Sequence, residues 1–123
     1  MIIFDTNVII EYLKGNKQII EIINECKSKN DMGITFITEY ELLKYITKNK
    51  EIIYDFLNNV TIIQLDNDSI IFSAEIFNEL KNEGKMINEN DILIAGMSLK
   101  SNNVLITMDS DFKNIDNKNI KII

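Results

Sequence analysis

The side chains of this 123-residue chain with the clearest capacity for chemistry are carboxylates. Asp5 directly follows the apolar start Met1-Ile2-Ile3-Phe4 and precedes Thr6-Asn7. Glu41 stands in Ile37-Thr38-Glu39-Tyr40-Glu41-Leu42-Leu43, and Asp91 in Asn88-Glu89-Asn90-Asp91-Ile92-Leu93-Ile94-Ala95. Asp109, with Asp111, lies in Thr107-Met108-Asp109-Ser110-Asp111-Phe112. Acids gathered at one place repel one another unless a cation joins them, and hard oxygen donors select Mg²⁺ or Mn²⁺. Such an ion lowers the pKa of water and polarises a phosphate, which is the chemistry of metal-assisted phosphodiester hydrolysis. Histidine is absent, which removes Ser-His-Asp triads, imidazole-based ribonucleases and Cys/His zinc sites. A hydrolase of this composition is left with carboxylates and a metal.

For these acids to meet, the chain must bring distant segments to one edge. Runs rich in Ile and Val, at Ile2–Phe4, Ile34–Ile37, Val60–Leu65, Val104–Thr107 and Ile120–Ile123, are predicted strands. They lack polar alternation, as strands covered on both faces do. Helical periodicity fills the intervals: from Asp5 to about Gly15, over Lys17–Lys27, from Thr38 through Leu42, Leu43 and Ile46, and over Glu51–Leu57. It continues over Asp68–Asn82, with Ile71, Phe72, Ile76 and Leu80 on the apolar side and a turn at Gly84, and then over Glu89–Lys100. Met and Phe at these spacings are core residues. The alternation predicts an α/β fold with a parallel sheet, as one domain over residues 1–123. In such sheets the carboxyl ends of the strands form the ligand-binding edge. All four acids stand at strand-to-helix junctions, where the helix N-terminus favours negative charge by ~0.3–1 kcal/mol in exposed cases.

A purely local role is open to each acid. Thr38-x-x-Glu41 matches a helix capping box, Asn88-x-x-Asp91 does so more loosely, and Asp109 and Asp111 are ordinary turn residues. Asp5 is harder to dismiss, because Thr6 and Asn7 beside it can cap a helix themselves.

Composition narrows the setting. Hydrophobic residues make up 46% of the chain and charged residues 26%, which suits a soluble fold with a core. No apolar run approaches the roughly 20 residues that cross a bilayer, and the N-terminus lacks the features of a signal peptide. Cys26 is the only cysteine, expected as a buried filler, and its isolation fits a reducing cytoplasm. The net charge of −6, with lysine as the sole basic residue, argues against a surface that binds nucleic acid everywhere. It leaves room for a local lysine face. Lys44, Lys48 and Lys50, just beyond Glu41, are either phosphate contacts or a solvated helix face.

The four blocks, in this order and at this length, resemble the PIN-domain nucleases, in particular the VapC-type toxins of toxin–antitoxin pairs. The resemblance runs from Ile2 to the last strand. It implies a three-layer α/β/α PIN-like domain with four to five central parallel strands. It also implies a magnesium-dependent endoribonuclease, with Mn²⁺ as substitute. Asp5 and Asp91 would be the principal metal ligands, and Glu41 and Asp109 would complete the acidic quartet. Thr6 and Asn7 would shape the first loop, and Thr107 would offer a hydroxyl. The fourth block is one residue shorter than a common toxin form, so Asp111 is the alternative to Asp109, which its offset from Thr107 favours. The implied partners are an RNA substrate, an antitoxin with a basic C-terminal arm and a second copy of the chain, with no membrane. Two other classes fit less well. A non-catalytic binding module has no need of all four acids. An aspartyl phosphatase would carry a second aspartate two residues after Asp5, where Asn7 stands.

Overall fold

The apolar runs form five short strands because each can be covered on both faces. The computed structural model describes residues 1–29 and 31–123. The elements run β1 (Ile2–Phe4), α1 (Thr6–Leu13), α2 (Lys17–Lys29), β2 (Met32–Thr35), α3 (Phe36–Tyr45), α4 (Lys50–Asn58) and β3 (Thr61–Ile63). They continue with α5 (Asn67–Glu83), α6 (Glu89–Leu99), β4 (Val104–Thr107), a 3-10 turn (Ser110–Asn114) and β5 (Ile120–Ile122). All pairings are parallel and the strand order is β3-β2-β1-β4-β5. The chain lays down β2 and β3 on one side of β1 and then crosses to the other side for β4. The reversal lies between β1 and β4, where such sheets open a crevice at their carboxyl ends.

Alternation along the strands divides the core into two layers. Ile3 and Leu105 face α5 and α6, in a cluster with Ile76, Leu80, Ile92 and Phe112. Phe4, Ile34 and Ile106 face the other way, among Val8, Ile9, Ile19, Ile23 and Ile53 from α1, α2 and α4. Helix α3 serves both layers, with Ile37 in the first and Leu42 in the second. The architecture is therefore three-layer α/β/α. No helix among the described residues is long and apolar enough to cross a membrane.

Several predicted boundaries move. β2 stops at Thr35 rather than Ile37, because the Thr35 hydroxyl accepts the Thr38 N–H and starts α3 two residues early. The capping box proposed at Thr38 and Glu41 is thus not the cap; both lie inside the helix. Val60–Leu65 shortens to Thr61–Ile63. On α5, Ile71 is 58% exposed instead of buried, and Ser69 and Ser73 are buried in its place. The reason is a close helix crossing. A Cβ built on Gly96 of α6 would stand 1.9 Å from Ser73 Oγ and 2.8 Å from Ser73 Cβ, so α6 meets α5 through bare backbone. Cys26 is half-buried against the second core layer, and burial raises its thiol pKa, as befits a filler.

Candidate active site at the carboxyl edge of the sheet

Asp5 leaves β1 at the reversal point, its N–H donating to Ile106 O of β4 at 2.9 Å. It occupies the cap position of α1, and its two oxygens are engaged separately. The Thr6 N–H donates to Oδ1 at 2.8 Å and the Thr107 hydroxyl donates to Oδ2 at 2.7 Å. Thr107 is fully buried at the end of β4 and in turn accepts the Asp109 N–H at 3.0 Å. A hydrogen-bonded path thus joins the ends of β1 and β4. Burial raises the pKa of Asp5 most; the Thr107 and Thr6 hydrogen bonds oppose this, and the charges of Glu41 and Asp109 add to it.

Glu41 reaches the same place from the middle of α3. The Thr6 hydroxyl lies 2.8 Å from Glu41 Oε1 and 3.0 Å from Thr38 Oγ1. With one proton to give, Thr6 donates to the carboxylate and Thr38 supplies the other bond. Asp91 comes from the first turn of α6, behind Asn88, whose side chain caps the helix by accepting the Asn90 N–H. Asp109 caps the 3-10 turn through the Asp111 N–H at 2.9 Å.

The resulting pocket, about 260 Å³, is lined by Asp5, Thr6, Asn7, Ile10, Glu41, Tyr45, Asp91 and Asp109. Asp91 feels the assembly most. Its pKa is pushed up to about 7, first by burial, then by Asp5, Asp109, Glu41 and Asp111. A larger recess of about 750 Å³ near the end of α5 has a lining of mixed sign, including Glu83, Lys85, Asp116 and Lys118, so size alone does not mark the site.

The residues fit a hard divalent cation. Their charged donors are all carboxylate oxygens, and Asp91 is pushed up to about 7 first by burial and then by the acids around it, with no basic side chain in the lining to answer them. Among the described residues, no three acidic side chains already close round a common point.

Of the residues singled out in the sequence, Asp5, Thr6, Asn7, Glu41, Asp91 and Asp109 share the pocket, with Thr107 behind Asp5. Asp111 is exposed and outside the lining. Lys44 reaches the rim through Tyr45, its Nζ 5.0 Å from that ring's centroid. Lys48 lies in an adjoining apolar groove with Ile10, Leu13, Ile46 and Ile52, and Lys50 is exposed at the start of α4. Two lining residues, Ile10 and Tyr45, escaped the sequence reading. Tyr45 was reachable by helical spacing: four residues after Glu41, it lies one turn further along the same face.

A PIN-domain family model matches residues 2–118. Ribonuclease VapC3 of Methanocaldococcus jannaschii is 35% identical over 95 residues, covering 77% of this chain and 95% of that protein. Ribonuclease VapC2 of Haemophilus influenzae is 34% identical over 113 residues, covering 81% and 84%. Among solved structures, VapBC2 from Rickettsia felis, bound to a DNA fragment from its promoter, superposes with a TM-score of 0.89 at 25% identity, covering 100% of this chain and 99% of that one. VapBC-1 from nontypeable Haemophilus influenzae superposes with a TM-score of 0.82 at 30% identity, covering 99% and 98%.

Proposed function

From the premise that this chain belongs to the PIN-domain family, we propose that it is the endoribonuclease toxin of a type II toxin–antitoxin pair. It hydrolyses RNA phosphodiester bonds at the pocket of Asp5, Glu41, Asp91 and Asp109. The observation that carries this reading is the convergence of Asp5, Glu41, Asp91 and Asp109, from four separate segments of the chain, on one pocket with no basic side chain in its lining. That cluster costs stability in the free protein and becomes useful once a cation and a phosphate enter it.

PIN-domain ribonucleases depend on a metal, and we take the ion to be Mg²⁺, with Mn²⁺ as substitute. Asp5 and Asp91 would hold it, with Asp109 beside them; when bound, it would supply Lewis-acid polarisation of the phosphate and acidify water. The protein's own contribution is orientation. Thr107 and Thr6 hold the Asp5 carboxylate in one direction. Thr6 likewise aims Glu41, which with Asp109 would orient the attacking water and accept its proton. Asn7 borders the entrance, and Lys44, Lys48 and Lys50 steer the strand. Incubation with mixed tRNA and rRNA, with Mg²⁺ or with chelator, tests the reading at nucleotide resolution. Cleavage that persists undiminished in chelator would overturn it.

A cognate antitoxin holds the toxin in check in the cytoplasm. Its finer design is inferred from charge: a pocket of carboxylates in a chain of net charge −6 attracts a basic segment, and arginine's planar fork can bind two carboxylate oxygens. Support comes from the apolar groove that shares Ile10 with the pocket, a path along which such an arm can lie. Deleting the antitoxin's basic C-terminus should release cleavage; inhibition that survives the deletion refutes the arm. A homodimer is also proposed, supported by Ile70 and Ile71 standing 49% and 58% exposed on α5. Monomer-sized light scattering at working concentration would exclude it.

A further inference from the structure

The pocket presents a problem of affinity. Every charged side chain that lines it is acidic, and the whole chain carries −6. A polyanion therefore meets repulsion before it reaches the carboxylates. On the last turns of α3, which send Tyr45 into the pocket lining, the surface is of another kind. Tyr40 and Tyr45 are 59% and 61% exposed. The Lys44 ammonium lies over both rings, 5.3 Å from the Tyr40 centroid and 5.0 Å from that of Tyr45. Tyr45 belongs to the pocket lining, and Tyr40 precedes Glu41 in the chain.

Tyr12 provides an internal contrast. It also sits under a lysine, Lys27, at 5.5 Å, but its ring packs 6.2 Å from Phe56 and is part of the core layer. Tyr40 and Tyr45 are instead left open to solvent. Tyr40 and Lys44 are neighbours at i and i+4 on the helix, and Lys44 bends back over Tyr45, the residue that follows it. An aromatic face binds any nucleobase by stacking, with no need for positive charge. The ammonium held beside the rings can pair with the phosphate of the same nucleotide.

We propose that Tyr40, Lys44 and Tyr45 form a base-stacking platform that holds an unpaired nucleotide of the RNA beside the carboxylates. A base inside a duplex has both faces covered by its neighbours and offers none to the rings. The platform therefore takes an unpaired base and leaves a paired one. This rests on the nuclease reading for its biological sense, but its physical content is binding and can be measured without cleavage.

The test uses the full chain carrying Asp91→Asn, expected to cut too slowly to interfere, and short RNAs with 2-aminopurine at successive positions, free or annealed to their complements. Stacking on the rings should quench the fluorophore in the single strand at one or two positions and leave the duplex unchanged. Tyr45→Ala should weaken single-strand binding about tenfold and remove the quench, with Tyr40→Ala weaker by a smaller factor. Tyr45→Phe and Tyr45→Trp keep a π face and should restore binding, whereas Tyr45→Leu should not. These also guard against an alanine variant that misfolds. Unchanged affinity and quench in both alanine variants would overturn the platform, as would equal binding of duplex. Loss of antitoxin binding or self-association, with RNA binding intact, would make the patch a protein interface and the platform wrong. The nuclease reading fails separately, if the wild type cuts no RNA in Mg²⁺ or Mn²⁺; the quench still decides the platform.

Discussion

Two aspartates at the starts of neighbouring helices have been driven in opposite directions. Asp66 caps α5, and its pKa is lowered to about 2, first by the hydrogen bond from Lys100 and then by those from Ser69. Asp91 sits in the first turn of α6, and its pKa is pushed up to about 7 by burial and by other acids. Residue type and helix position are nearly the same in the two places, and the helix N-terminus favours the charged form in both. What differs is what the rest of the fold brings near. Lys100, from the end of α6, pairs with Asp66, whereas the ends of β1 and β4 bring Asp5 and Asp109 to Asp91. A charge that is answered within the protein is structural. One that the protein leaves unanswered is kept for something that binds.

The contrast can be broken most sharply by activity. Asp91→Asn and Asp5→Asn should lower the rate of RNA cleavage by about 10²–10³-fold or more, the scale for removing a preorganised charged group. Asp66→Asn should lower the melting temperature and leave the rate essentially as it was. A rate loss in Asp66→Asn as large as in Asp91→Asn would erase the distinction. Next in size, Asp109→Asn should cost about 10–100-fold, as supporting groups round a metal do. Asp111→Asn, outside the lining and the last-named influence on Asp91, should cost much less. The reverse order in the same assay would mean that Asp111, two residues further on, and not Asp109, is the acid of the fourth block.

A smaller effect is expected in stability. Mg²⁺ or Mn²⁺ at a hundredfold excess over Kd should stabilise the fold by about 2.7 kcal/mol, a rise in Tm of roughly 10 °C for a chain of this size. Asp91→Asn should abolish most of that rise and Asp66→Asn none of it. A flat Tm across a wide range of both ions, by differential scanning fluorimetry, would count against the site.

The smallest effect is the pH dependence of the metal-free protein. Between the unfolded value of 3.8 and the folded value of about 7, Asp91 holds its proton only when folded. Its contribution is therefore fully present below about 4 and is lost as pH rises through 7. Asp66 has the opposite sign: its contribution is present above 3.8 and is lost as pH falls through about 2. Melting in chelator from pH 4 to pH 8 should show a decline that Asp91→Asn flattens. An identical decline in the variant would assign it to other groups.

Much of this was legible beforehand. The strands β1 and β4 were readable to the residue, because Asp5 and the Thr107-Met108-Asp109 segment end their apolar runs abruptly. Asp5, Asp91 and Asp109 were legible for the same reason, each following a strand or opening a helix, whereas Glu41, expected at such a junction, lies in the middle of α3. The end of β2 was not: Ile37 prolongs the apolar run in sequence, but its side chain belongs to a helix face directed at the first core layer. Ile71 misled in the other direction, since hydrophobicity along α5 could not reveal that a glycine from α6 would claim the space beside Ser73. Tyr45 was missed although helical spacing places it one turn beyond Glu41 on the same face; that this face walls a pocket depends on what the rest of the fold brings opposite it.

The crossing of α5 and α6 at Gly96 has a consequence for the persistence of such a gene. A toxin is a burden whenever its antitoxin fails, so cells that silence it gain an advantage. The obvious silencing changes strike the acids and can be seen in the sequence. Gly96→Ala would leave every acid in place, yet its methyl group would collide with Ser73 at Cβ as well as Oγ. The helix that carries Asp91 must then shift, and a displacement of about 1 Å can cost 10²-fold in rate. An allele of this kind, folded by circular dichroism but inactive on RNA, would look functional to any survey that counts catalytic residues.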